Sequence, residues 1–411
     1  MAKPEIRLKG FKGEWKETTI GNVSNSFDYG INAAAMPYDG NNKYLRITDI
    51  DDSSHLFNQT GLTSPQSGNI NLDSYLLEEG DITFARTGAS VGKSYIYDKN
   101  DGKVIFAGFL IRTKIKNEVN PHFVFMNSLT KRYEKYIKLI SQRSGQPGMN
   151  TKELSDFSFL IPSDKKEQKA IVDYFKSLDS MILGVTKKIA SLKQMKQACL
   201  VSMFPQAGET IPRVRFKGFK GEWECSPLST FSKKVTNKNS NLEIKITLTN
   251  SAEYGIINQL DFFDHDVSNG DNIRGYYVVD NDDFVYNPRV STMAPVGPIN
   301  RNQLGYAGVM SPLYYVFRVS GIDKDYLSCF FKTNLWHKFM KDNGNSGARF
   351  DRLSITDDMF VQMPILYPKS EGEQKQIASF FTSLDKQISL QEQRLEKLKQ
   401  IKTACLDKMF V

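Results

Sequence analysis

Four cysteines in 411 residues, with no C-x-x-C pair among them, give no basis for a disulfide framework, a zinc knuckle or a dithiol redox site. Four histidines (His55, His122, His265, His337) are scattered without ligand spacing, so no metal centre is expected. No apolar run approaches the roughly 18 residues that cross a bilayer, and the opening MAKPEIRLKG has no signal-type apolar stretch. A cytoplasmic protein with no membrane partner is therefore expected. A complete phosphate-binding loop is also missing. GASVGKS (88–94) has Thr87 where G-x-x-x-x-G-K-[ST] requires its first glycine. Asn287-Pro288-Arg289-Val290 departs from the N-P-P-[YF] of amino-methyltransferases at the third position, and no glycine-rich cofactor loop accompanies it. Glu-x-Lys triplets at 167–169 and 373–375 lack a preceding Pro-Asp on a strand. They read as helix starts, where glutamate complements the dipole. No catalytic residue is assigned.

What the chain does have is repetition. Glu167–Phe204 and Glu373–Phe410 match at 18 of 38 positions with an offset of 206. Both carry a seven-residue apolar period. Ile171, Phe175, Leu178, Ile182, Val185, Ile189 and Leu192 fall on one seam, and Ile377, Phe381, Leu384, Ile388, Leu395 and Leu398 on the other. Steps of three and four confine these side chains to a narrow stripe, the signature of a coiled coil rather than a broad globular face. Two such helices, each left wet, would not be stable, so they are expected to pack on each other. Lys196, Lys402 and Gln391 interrupt the seams; they either fix register or reach out to water.

A second repeat precedes each globular stretch: RLKGFKGEW (7–15) and RFKGFKGEW (215–223). The unit is a basic lead-in segment, about 150 residues of mixed structure, and a long helix, present twice. The expected division is a lead-in and first domain over 1–165, a first spacer helix over 166–204 and a linker over 205–212. A lead-in and second domain over 213–370 and a second spacer helix over 371–411 follow. Prolines at both ends of PQAGETIP (205–212) predict an extended connection. Within the domains, YLRITDI (44–50), DITFART (81–87), KSYIYD (93–98) and KVIFAGFLIRTKI (103–115) predict strands. EIKITLT (243–249), GYYVVD (275–280), DFVYN (283–287) and SPLYYVFRV (311–319) do so in the second half. Helical segments near 121–140 and 323–341 and Gly/Ser/Asn-rich loops at 141–150 and 342–351 complete one α+β fold used twice.

The helices and lead-ins agree closely between halves, whereas the globular stretches share little beyond element order. Parts with one task should look alike, and parts that meet different targets should differ. The helices are thus expected to present two equivalent docking surfaces, and the domains to read two different targets. Net charge of +8 and a pI near 9.0 permit a polyanionic partner. Loop residues suited to phosphates and base edges are Arg46, Arg86, Thr87, Lys93, Arg143, Ser144 and Gln146 in the first domain. In the second they are Asn287, Arg289, Thr292, Arg301, Asn345, Ser346, Arg349 and Arg352, with Arg289 the expected counterpart of Arg86. The competing reading is a coiled-coil scaffold for two protein partners, without nucleic acid.

K-G-F-x-G-E-W (9–15, 217–223), Y-L-R-I-x-D-I (44–50), A-R-T-G-x-x-V-G-K (85–93) and E-Q-K-x-I…F-x-S-L-D (167–179, 373–385) together resemble the specificity subunit of type I restriction–modification systems. That resemblance covers essentially the whole chain. It implies two mixed α/β target-recognition domains joined by two antiparallel coiled-coil helices with pseudo-twofold symmetry. Each domain would read one half of a bipartite double-stranded DNA site, and the helices would set the gap. Two methylation subunits would dock on this chain and two restriction subunits would join the full complex. No cofactor would be bound here. S-adenosylmethionine, ATP and Mg would sit on those partners, and this subunit would be non-catalytic.

Overall fold

The structure, a computed structural model, describes residues 4–68, 70–142, 147–261, 272–345 and 351–410. It divides into two compact units, residues 1–186 with 393–411 and residues 187–392. Each unit therefore owns one globular domain, the N-terminal part of one long helix and the C-terminal part of the other. The helices run Lys165–Ser202 and Glu371–Met409, roughly 57 Å each at 1.5 Å per residue.

Unit one is built on a four-stranded antiparallel sheet in the order Ser24–Tyr29, Leu110–Ile115, Ile82–Ala85, Ser94–Ile96. A parallel pair, Lys43–Leu45 with Val104–Phe106, packs beside it. Short helices Pro121–Asn127 and Lys131–Ser141 cover the sheet, each capped by a polar residue, Asn120 and Thr130. Trp15–Thr19 pairs with Ser158–Pro162, the strand leading straight into the first long helix. That helix starts where the Asp164 carboxylate accepts from the Lys166 amide at 2.8 Å. Its core face, Ile171, Phe175 and Leu178, packs with Trp15, Phe123 and Phe159. Leu406, Met409 and Phe410 from the second helix close the same core.

Unit two repeats this plan. Its sheet order is Ser232–Lys234, Tyr315–Val319, Phe284–Tyr286, Ile299–Arg301. Lys324–Phe330 and His337–Asn343 supply the short helices, and Glu224–Pro227 pairs with Pro364–Tyr367 before the second long helix. Ile377, Phe381 and Leu384 take the core places of Ile171, Phe175 and Leu178, together with Leu200, Met203 and Phe204. Phe204 lies against Tyr326 and Phe381, as Phe410 lies against Phe123 and Phe175 in unit one. The Ile6 amide donates to Lys408 O (3.1 Å) where the Val214 amide donates to Ser202 O (2.9 Å). Each lead-in thus docks on a helix end by the same bond.

In each unit the two helix halves run antiparallel. Lys402 Nζ meets Asp179 Oδ1 at 2.6 Å in unit one, and Lys196 meets Asp385 in unit two. The lysines that interrupt the seams therefore bond across the helix pair, each to the aspartate of the F-x-S-L-D run. The Gln391 Oε1 is buried without a hydrogen-bond partner. Val185 and Ile189 are buried, and Ile182, Leu395 and Leu398 are half-buried.

Four expectations need correction. The narrow seam holds only along part of each helix: near the starts Val172 and Ala378 are buried as well, because the globular core packs there. The 205–212 linker turns at Gln206–Glu209, with the Glu209 amide on Gln206 O at 2.8 Å, instead of running extended. YLRITDI is a strand only to Leu45, since Asp49 accepts from the Arg46 amide and folds Ile47–Asp49 into a 3-10 turn; EIKITLT forms strand only from Leu248.

Candidate nucleic-acid interface

The basic lead-ins are clamps before they are anything else. Arg7 Nε and Nη2 each donate to Glu167 at 2.7 Å, and Nη1 to Gly13 O at 2.7 Å. Arg215 repeats all of this on Glu373 and Gly221. Both glutamate side chains are 1% exposed, so a full carboxylate is buried at each helix start and answered by a two-pronged guanidinium. The hydrogen bond to the glutamate raises the arginine pKa in both cases. The next residue of the motif ties the helix to the short-helix layer. Gln168 accepts from the Asn120 amide (3.0 Å) and donates to Pro162 O (2.9 Å), and Gln374 does the same with Asp323 and Pro368. Sequence reasoning read these glutamates as dipole partners and missed their arginines, which lie about 160 residues away in the chain.

In unit one the nominated residues separate by what already holds them. Arg46 is bound to Asp49 through Nε (2.8 Å) and Nη2 (2.7 Å). Lys93 donates to Ile50 O at 2.7 Å and pairs with Asp52. Its amine is therefore occupied within the unit. Gly88 and Gly92 serve the turn: both have positive φ, and a Cβ on Gly92 would come within 2.8 Å of Ile137. Arg86 differs from the other two cations. Its guanidinium lies over the Tyr29 ring, 4.5 Å from the centroid, and its Nε is buried without a hydrogen-bond partner among the described residues. Thr87 bridges to Gly148 and lines a cleft of about 520 Å³ with Arg46, Asn32, Tyr44 and Phe109. Arg143, Ser144 and Gln146 lie outside the described residues.

In unit two Asn287 donates to Asn250 O at 2.9 Å, holding the turn rather than facing solvent. The Arg301 side chain is only 8% exposed and is paired with Asp325 and Asp282, so its guanidinium is spent within the fold. Thr292 sits beside Met293 at the tip of a turn closed by reciprocal Ser291–Ala294 bonds, and Met293 is 68% exposed. Arg289 faces Arg352 across an antiparallel bridge, with one carboxylate, Asp351, 3.8 and 4.0 Å from their respective Nε atoms. Asn345 bonds Ser354 through both backbone groups at 2.8 Å. Ser346 and Arg349 lie outside the described residues. Arg352 lines a cleft of about 310 Å³ walled by Tyr277, Tyr286, Tyr314, Tyr315 and Phe360.

Hydrogen bonding sets the correspondence between the units. Asp81 accepts from the Glu78 amide and Asp283 from the Asp280 amide, at the same place before equivalent strands. Counting on, Arg86 aligns with Pro288 and Thr87 with Arg289. The cross-bridges agree: Arg86 O accepts from Met149, and Pro288 O from Leu353. The expected match of Arg289 to Arg86 is thus wrong by one residue, which in an extended segment places the side chain on the opposite face. The same register (Phe84↔Ile111, Tyr286↔Tyr315) places Phe109 and Leu313 at equivalent turn tips. They are 61% and 42% exposed. Neither was nominated from sequence, because KVIFAGFLIRTKI and SPLYYVFRV read as unbroken apolar runs; the glycine and proline at Gly108 and Pro312 were the available signals for a turn.

The family described as "Type I restriction modification DNA specificity domain" matches this chain twice, over residues 12–194 and 222–400. The solved S subunit of a type I restriction–modification system from M. genitalium is similar in fold, with a TM-score of 0.60 at 13% identity. That match covers 100% of this chain and 99% of the other. A chain from a structure addressing complex assembly and conformational transition of the type I R-M system gives 0.52 at 14% identity, over 97% and 98%. No described helix is long and apolar enough to cross a membrane.

Proposed function

Because this chain belongs to the type I restriction–modification DNA specificity family, we propose that each of its two units reads one half of a bipartite double-stranded DNA site. The protein is the sequence-specific DNA-binding subunit, and the scaffold reading without nucleic acid is not favoured. In this reading the helix pair fixes the gap and presents two equivalent surfaces to two methylation subunits, and two restriction subunits complete the assembly. The chain itself is non-catalytic. S-adenosylmethionine, ATP and Mg belong to the partners.

The observation that carries the reading is the contrast inside the molecule. The clamps, the helix-start glutamines and the cross-helix ion pairs are duplicated, whereas the loops at the sheet ends are not. A shared scaffold with unlike tips suits two readers held by one frame. The test is methylome sequencing of a strain expressing this chain with its methylation partner. The expected motif is gapped, with half-site centres on the order of 10 bp apart or somewhat more. Exchanging residues 224–370 for those of another such subunit should change one half of the motif. A contiguous motif, or a change in both halves, overturns the reading.

A further inference from the structure

Among the described residues three nominated cations, Arg46, Arg86 and Lys93, stand at the loop end of the unit-one sheet, and two are already answered: Arg46 by Asp49 and Lys93 by Asp52 and main-chain oxygen. Arg86 has no ion pair and no side-chain hydrogen bond among the described residues. It is nevertheless held. Its amide donates to Phe109 O at 3.0 Å, its carbonyl accepts from Met149 at 2.8 Å, and its guanidinium carbon lies over the Tyr29 ring, 4.5 Å from the centroid. Its Nε is sealed from solvent with no acceptor among the described residues, so the terminal nitrogens are the donors left to offer. A side chain fixed in place and not neutralised has little freedom left to lose when it meets a ligand.

A planar pair of terminal N–H groups fits either a phosphate or the O6/N7 edge of guanine. Two features favour the base. The guanidinium already rests on an aromatic ring, Tyr29, and its backbone is bonded to the turn that carries the 61% exposed Phe109; apolar surface of this kind suits a base edge better than a hydrated phosphate. The second feature is the internal comparison. Devices that serve both halves are present in both: Arg7 and Arg215, Gln168 and Gln374, Lys402 and Lys196. A generic phosphate contact should be duplicated likewise, yet Pro288 stands where Arg86 would be. We propose that Arg86 is a specificity-determining residue, reading a guanine in the unit-one half-site through its terminal nitrogens, and that unit two reads the corresponding position by other chemistry. This rests on the DNA-reading function above.

The test uses the full chain co-expressed with its methylation partner, as wild type, Arg86→Ala, Arg86→Lys and Arg86→Met. The methionine variant keeps a stem over Tyr29 in case alanine disturbs the fold. The wild-type motif is read first; if it is contiguous, the functional reading fails independently of Arg86. Given a gapped motif, Arg86→Met and Arg86→Ala should lose the requirement for one guanine in one half only. Discrimination at that position should fall about 5- to 100-fold, and lysine should not restore it, since it lacks the planar fork. Two results overturn the proposal. One is an unchanged motif with affinity lower for all sequences and a salt slope smaller by about one, which marks a phosphate contact. The other is no change in motif or affinity.

Discussion

The most exacting consequence of the structure concerns Arg7 and Arg215. Truncating Arg7 to alanine leaves the Glu167 carboxylate 1% exposed and without its cation. Removing one partner of a buried charge pair costs about 3–5 kcal/mol. The two units differ in what remains. Trp15 Nε1 still donates to Glu167 at 3.3 Å, whereas Trp223 Nε1 has no hydrogen-bond partner. A hydrogen bond to a charged group is worth about 1.5–3 kcal/mol at good geometry, and 3.3 Å is long, so the expected difference is about 1 kcal/mol. Arg7→Ala should therefore lie near 3 kcal/mol and Arg215→Ala above it. Hydrogen exchange by mass spectrometry, read separately over residues 165–180 and 371–386, measures each helix start without assuming that the chain unfolds in one step. Adding Glu167→Gln to Arg7→Ala should recover a large part of the loss, because a buried amide is less costly than a buried carboxylate. An Arg7→Ala effect under about 1 kcal/mol, or a double variant no better than the single, would refute the clamp as a stabilising device.

Two further outcomes follow from the same structure. Lys402–Asp179 is a half-exposed cross-helix pair, so a double-mutant cycle should give a coupling near 0.5 kcal/mol, and exchanging the two charges should retain most of it; zero coupling would mean that the pair does not hold the helices together. Burial lowers the pKa of His55, His122 and His337. Below the unfolded value of about 6.5 the unfolded chain then binds more protons, so their contribution to stability is complete above that pH and is lost as pH falls beneath it. The urea midpoint should be lower at pH 5.5 than at 7.5, and replacing all three with glutamine should flatten the difference; an unchanged slope would dismiss the histidines as its source.

Periodicity made the long helices legible, since a seven-residue apolar repeat has one good geometric solution. The lysines on that seam could not be resolved from sequence, because their carboxylates sit on the other helix, 189 residues away for Lys196 and Asp385. The same separation hid the clamps, so the lead-in read only as a basic segment, whereas its arginine holds the buried glutamate of the helix start. Among the loop cations, sequence could nominate residue types but not see their local acids: Asp49 for Arg46, Asp52 for Lys93, Asp325 for Arg301. Tyr29 was invisible as a partner for Arg86 because it comes from the start of the domain, on the far edge strand of the sheet.

The one-residue offset between Arg86 and Arg289 shows how one fold can read different targets. Beyond Ala85 and Asn287 the backbone follows the same hydrogen-bonded course in both units, bonded through Arg86 O to Met149 and through Pro288 O to Leu353. Moving the cation one place along that course turns it from one face of the extended segment to the other. In unit one it stacks on Tyr29; in unit two it stands across from Arg352, and two like charges share Asp351. Like charges opposed across strands are unfavourable, and a single carboxylate offsets only one of the two. The two tips therefore present different donors from nearly identical supports, and those donors can change through a few loop residues without disturbing the clamps and cross-helix pairs that both units share.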